Sequence, residues 1–197
     1  MSAIHPPERS ASLPLGGTWR TRDIVVVAVI GVAFGVVFAA WNATWEATKV
    51  LFVFFPPARN LIYGMWLVPA VLAPYIVRRP GAALFAEMVA AGVSTFWSQW
   101  GPDTLLSGFV QGAAAELVFA FVLYRIWDLR VLAAAGIASA AGAWLHDWVL
   151  YYADVDTGTQ LIVGLMMAIS AVIFCAFGSL FVVRSLRRAG VLEGFPS

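Results

Sequence analysis

Long apolar runs, broken at intervals by proline, glycine and charge, set the pattern of this chain. The first extends from Ile24 to about Asn42 and is entered from Arg20, Arg22 and Asp23. A second covers Asn60 to Val77, with Pro69 and Pro74 inside it. A third runs from Ala82 to about Ser98, a fourth from Thr104 to Tyr124, a fifth from Val131 to Tyr152, and a sixth from Gln160 to Val183 before Arg184, Arg187 and Arg188. About 20 helical residues at about 1.5 Å each cross about 30 Å of hydrocarbon, so each run reads as a membrane-crossing helix. The pattern predicts an all-α polytopic membrane protein. It has a tail over 1–23, a six-helix transmembrane substrate-binding domain over 24–183, and a second tail over 184–197. The connection from Ala43 to Arg59, ATWEATKVLFVFFPPAR, holds an apolar stretch too short to span, stopped by two prolines. It is expected to lie at the interface or to fold over the helices as a lid.

Composition agrees with the pattern. Of the 197 residues 61% are hydrophobic and 12% charged, and the mean hydropathy is +0.85, which sets the chain apart from soluble domains. Basic residues concentrate on one side: the two tails, the Arg78/Arg79 turn and the Arg125 to Arg130 turn hold all but Lys49 and Arg59. The positive-inside bias then places both termini in the cytoplasm. A net charge of +1 without a basic stripe sets nucleic-acid binding aside. The first twenty residues are polar and rich in proline and glycine, so they read as a disordered cytoplasmic tail rather than a cleavable signal. The lone cysteine, Cys175, has no disulfide partner.

Charge inside the apolar runs directs attention to chemistry, because an ionisable group in lipid costs a few kcal/mol and normally faces a cavity or a partner. Glu87 and Glu116 lie on two runs joined by a Gly-Pro turn. Each is about eight residues from its flanking arginine, which places both roughly 12 Å from the same membrane face. On the third run Glu87, Ala91, Ser94 and Ser98 form a small, weakly polar face suited to a cavity wall. Ligand contact and structural pairing both remain open for Glu87, and a structural role is favoured for Glu116. Gln111 and Glu116, about 140° apart around one helix, do not both face one cavity. Trp144, Asp147 and Tyr151 share a face of the fifth run near the outer surface, an acid between rings that suits a heteroaromatic cation. The neighbouring His146 points about 100° away and reads as an interhelical donor. The outer loops add Trp97, Gln99, Trp100 and Asp103, and Trp41 and Trp66 add rings near the same side. In the first run Ala28, Gly31, Gly35 and Ala39 form a small-residue stripe, for packing within the bundle or for docking another membrane subunit. No metal set accompanies His5 and His146, and no cofactor motif occurs. Without a phosphate-cradling loop, any ATP energy comes from another subunit, and without a nucleophile signature catalysis is not expected.

The segment RRPGAALFAEMVAAGV, the following GPDTLLSGFVQGAAAELVFAFVLYR, the AGVLEG stretch from Ala189 to Gly194 and the acid of HDW, Asp147, resemble the YkoE family of substrate-binding S components of energy-coupling factor (ECF) vitamin transporters. The resemblance covers nearly the whole chain. It implies a multi-pass protein of the bacterial cell membrane that binds thiamine or its hydroxymethylpyrimidine precursor from outside. It also implies work with an ECF transmembrane coupling subunit and a pair of ATPase subunits, with Ala28, Gly31, Gly35 and Ala39 towards the coupling subunit. Thiamine carries a flat aminopyrimidine, an exocyclic amine and a thiazolium cation, which Glu87, Asp147 and the aromatic clusters suit. The competing reading is a stand-alone proton-coupled carrier that relays protons through Glu87 and Glu116.

Overall fold

A computed structural model describes residues 18–195. Helix α1, Thr21–Ala47, begins where Asp23, 1% exposed, accepts from the Arg20 backbone N–H at 3.1 Å and from Arg79 Nε at 2.8 Å. One buried acid thus ties the start of α1 to the turn before α3. The tail expected over 1–23 falls largely outside the described residues. Helix α1 runs on beyond the expected Asn42, so the first part of the expected connection is helix. A short 3₁₀ turn, Thr48–Phe52, follows. Val50, Leu51, Val53, Phe54 and Phe55 around it are exposed.

The second span departs from a plain α-helix. Pro56–Leu67 is a 3₁₀ helix of 12 residues, continued by α2, Val68–Val77. Such runs rarely exceed four residues, because the hydrogen bonds are poorer than α-helical ones. Three features hold this one. Two prolines start it, and Pro69 removes the N–H that an α ladder would offer to the Met65 carbonyl, which accepts instead from Val68. Ser170 of the last span braces its middle, accepting from the Gly64 N–H at 2.8 Å and donating to the Leu61 carbonyl at 2.7 Å. The backbones touch there, since a Cβ on Gly64 would stand 2.6 Å from the Ser170 oxygen. In α2 every residue except Tyr75 is buried, so this span is the hub of the bundle.

Helix α3, Ala82–Ser94, has 13 residues, about 20 Å of rise, and is shorter than the expected crossing to Ser98. It ends early at a loop whose Phe96 and Trp97 are exposed. Helix α4, Asp103–Phe121, packs closely on it. Cβ atoms on Gly108 and Gly112 would stand 2.5 Å from Ala91 Cβ and 3.0 Å from Glu87 Cβ. Helix α5, Leu129–Tyr151, is capped by Asp128, and α6, Thr157–Ala171, by Asp156. A π-helical turn, Val172–Phe177, carries the last span into α7, Gly178–Arg188. Arg184, Arg187 and Arg188 are therefore helical rather than part of a tail. Five spans are long and apolar enough to cross a membrane, with α3 as a shorter sixth.

Two points follow from this packing. Gly31 and Gly35 turn inwards, since a Cβ on either would lie 2.7 Å and 2.6 Å from Val89 and Val93 of α3. Both are buried, while Ala28 and Ala39 are half-buried. Valines 25, 29, 32 and 36 cover the outside of α1 instead. The reason is that α3, rich in small residues itself, approaches α1 closely enough to need those glycines. The second point concerns depth. Gly112 faces Glu87, which leaves Glu116 one turn nearer the end of the bundle that holds the described N-terminus.

Candidate functional site

A cavity opens among α1, the 3₁₀ helix, α3, α4 and α5, with about 750 Å³ of empty space including its open mouth. Each wall follows the period of its own element. Phe38, Asn42 and Trp45 lie one turn apart along α1, and Glu87, Ala91 and Ser94 do the same along α3. On the 3₁₀ helix the lining residues are Asn60, Tyr63 and Trp66. A spacing of three stacks in register at three residues per turn, and an α-helix would rotate each successive member by about 60°.

Rings form the wall nearest the hub. Trp66 meets Trp45 and Tyr63 at centroid separations of 5.1 Å and Trp100 at 5.7 Å, all edge to face. Polar groups complete the site. Glu87, 1% exposed, accepts from the Ala70 backbone N–H at 3.0 Å. Gln111 of α4 donates to Ser107 Oγ at 2.7 Å. Asp147 accepts from the Tyr63 hydroxyl at 3.0 Å. His146 stands between two carboxylates, with Nδ1 3.0 Å from Asp147 and Nε2 3.2 Å from Asp103, and the Tyr151 hydroxyl donates to Asp103 at 2.5 Å. The chain therefore reads Tyr63, Asp147, His146, Asp103, Tyr151, and it joins the 3₁₀ helix, α4 and α5. Three acidic side chains, Glu87, Asp103 and Asp147, and no lysine or arginine line the cavity among the described residues. Tyr152, just past α5 and 50% exposed, also lines the cavity.

Of the residues singled out in the sequence, the structure brings Glu87, Gln111, Asp147, Tyr151 and Trp66 together at this cavity. It places four elsewhere. Glu116 accepts from the backbone N–H groups of Gly81 at 2.6 Å and Ala83 at 2.9 Å and from the Tyr124 hydroxyl at 2.7 Å, so it caps the start of α3. Trp144 fits the slot left by Gly164 and donates to the Gln160 carbonyl at 2.9 Å, so its ring lies between α5 and α6. Trp41 donates to the Ile62 carbonyl at 3.0 Å and packs on Phe174. Trp97 is 46% exposed, beside Phe96. His146 bonds Asp147 directly, which its ideal helical angle did not suggest, and reaches α4 as expected.

Asn42, Asn60, Tyr63 and Ser107 escaped the sequence reading as site residues, whereas Trp100 and Asp103, named there among the outer-loop residues, do line the cavity. The signal for two walls was present in the spacings 38, 42, 45 and 60, 63, 66, but using it required knowing that α1 continues to Ala47 and that the next helix has a period of three. Over the mouth, Glu46 gathers Lys49, Arg59 at 3.5 Å and Gln99 at 3.0 Å. This clasp joins the end of α1, the start of the 3₁₀ helix and the α3–α4 loop. Arg59 also lies over the Trp45 ring at 3.8 Å.

Comparison with known proteins places this architecture. Residues 22–142 match the family described as ABC-type cobalt transport system, permease component. A Bacillus subtilis (strain 168) protein named as a candidate HMP/thiamine permease protein, YkoE, is 34% identical over 179 residues, 90% of this chain and 89% of that one. A crystal structure of an S component of an ECF transporter superposes with a TM-score of 0.83 at 34% identity, over 90% of each chain. Among the described residues no group of three or more His, Cys, Asp or Glu stands together as a metal site.

Proposed function

The chain belongs to the YkoE family of S components of ECF transporters, and we propose that it captures thiamine or its hydroxymethylpyrimidine precursor at the extracellular mouth of this cavity. It is a multi-pass bacterial membrane protein of transport, not an enzyme. A coupling subunit and ATPase subunits then supply the energy for release inward, with both termini of this chain on the cytoplasmic side. The observation that carries the reading is the cavity itself, an aromatic wall facing three carboxylates with no cation among its described lining residues. A flat aminopyrimidine stacks between rings, its amine finds acceptors, and a thiazolium finds both negative charge and ring faces. The relative's name supports the same chemistry.

A stand-alone carrier relaying protons through Glu87 and Glu116 is less well supported. Glu116 is taken up by the α3 backbone and Tyr124, away from the cavity. The test is tryptophan fluorescence of the purified chain in detergent, titrated with thiamine and separately with hydroxymethylpyrimidine. Trp45, Trp66 and Trp100 line the cavity, so saturable quenching at submicromolar ligand is expected, and its order ranks the two compounds. Folded protein that responds to neither overturns the assignment.

A further inference from the structure

At the end of the bundle opposite the cavity mouth, Arg78 is a cation without a counterion among the described residues. It closes α2, where its backbone N–H donates to the Pro74 carbonyl at 2.8 Å, and it takes up φ 52° and ψ 47°. That left-handed conformation is the usual place of glycine at a helix end, and a residue with a Cβ is strained in it. Glycine would fit with less strain, so an arginine there calls for a use of its side chain. The guanidinium lies over the Trp127 ring, 5.8 Å from its centroid. Its Nε is buried without a hydrogen bond. The two Nη groups also lack an acceptor among the described residues, but they are not closed off as Nε is. Three acids at this end are committed elsewhere. Asp23 accepts from Arg79 Nε at 2.8 Å, Glu116 holds the start of α3, and Asp128 caps α5 through the Val131 N–H at 2.9 Å. Burial first, and then the like charge of Arg187 on α7, lower the pKa of Arg78 from its usual value.

We infer that Arg78 and Trp127 form a binding site for the phosphate of an anionic phospholipid in the cytoplasmic leaflet, met end-on by Nη1 and Nη2. Depth identifies the anion. Arg78 directly follows Val77, the end of a helix buried throughout except at Tyr75. Its guanidinium therefore stands where hydrocarbon gives way to headgroups, beside a tryptophan of the kind that marks this level. A lipid phosphate is the anion always present there, and a guanidinium meets a phosphate through paired N–H groups. Basic pockets between spans on the cytoplasmic side bind such headgroups. The leaflet follows from the orientation proposed above. The site lies apart from the ligand cavity, and it ties the turn before α3 and the loop before α5 to the membrane surface.

The test uses the full chain in mild detergent, with bound lipid counted by native mass spectrometry during titration with phosphatidylglycerol and, separately, phosphatidylcholine. The unaltered chain is expected to bind phosphatidylglycerol about fivefold more tightly. Arg78→Gln should remove that preference, and Arg78→Lys should keep part of it. Arg78→Gly relieves the left-handed turn as well, so it should melt later than the unaltered chain without added lipid and gain less from phosphatidylglycerol. Equal binding of the two lipids by the unaltered chain overturns the inference, and so does a preference that survives Arg78→Gln in full. Where the glutamine variant fails to fold, Arg78→Gly, which suits the turn, is read in the same way. Glycerol 3-phosphate that displaces the lipid at equal concentration makes the ligand a soluble phosphate and overturns the lipid assignment. Arg78→Gln that spoils assembly with the coupling subunit at an unchanged lipid preference assigns the arginine to a partner's carboxylate, which overturns it too. Thiamine quenching reports on the other end of the bundle. A chain that fails to answer to thiamine loses the reading above and leaves this one standing.

Discussion

Asp147 and Glu116 show how differently two acids in apolar helices behave. Asp147 holds the Tyr63 hydroxyl and His146 at the cavity, so Asp147→Asn removes charge and turns one acceptor into a donor. Thiamine affinity measured by calorimetry should fall by more than about 1 kcal/mol, and an unchanged value in folded protein removes Asp147 from the site. Glu116→Gln should instead lower the thermal stability of the chain by about 1 kcal/mol and leave ligand affinity alone, since its partners are the α3 backbone and Tyr124. Both acids were conspicuous in the sequence because charge in lipid is costly wherever it sits. The sequence favoured a structural role for Glu116 and set Asp147 between rings, but it did not disclose their partners, because a carboxylate satisfied by a helix start and one lining a cavity look the same in a string of residues. The tryptophans were harder still. Trp66, Trp144 and Trp97 are alike in letter, and neighbouring details such as Gly164 decide whether a ring faces the cavity, another helix or the outside.

At the scale of elements, the six runs, their order and most of their limits follow from apolar length and from proline and glycine. The departures came where packing overrides length. Helix α3 is short, and the 3₁₀ helix depends on a hydroxyl more than a hundred residues away in the chain. Gly64→Ala should therefore cost about 1–3 kcal/mol, read as a lower melting temperature in detergent, since a methyl group there meets the Ser170 backbone. Gly35→Ala makes a sharper comparison. With Val93 Cβ at 2.6 Å from the added carbon, the isolated chain should melt earlier. If its stability were untouched and only assembly with the coupling subunit suffered, Gly35 would belong to a docking surface after all.

For the molecule as a whole, the division between walls and frame is plain. Helices α1, α3, α4 and α5 and the 3₁₀ helix line the cavity, while α6 and α7 brace the hub from behind. On the proposed function, such a chain is expected to hold a ligand and not to move it uphill by itself. Reconstituted alone in vesicles, it should bind thiamine and show no concentrative uptake, which should begin when the coupling and ATPase subunits are added with ATP. Uptake by the chain alone would restore the carrier reading. The 3₁₀ helix adds a constraint of another kind. Its rungs at 60, 63 and 66 mesh with the cavity like the teeth of a rack, and at three residues per turn one inserted residue swings the rungs on one side of it by about 120° relative to those on the other. Any rung is open to a change of side chain, and so of ligand, but the count of residues between the rungs is not. Over evolutionary time this stretch is expected to drift in letters and hold still in length.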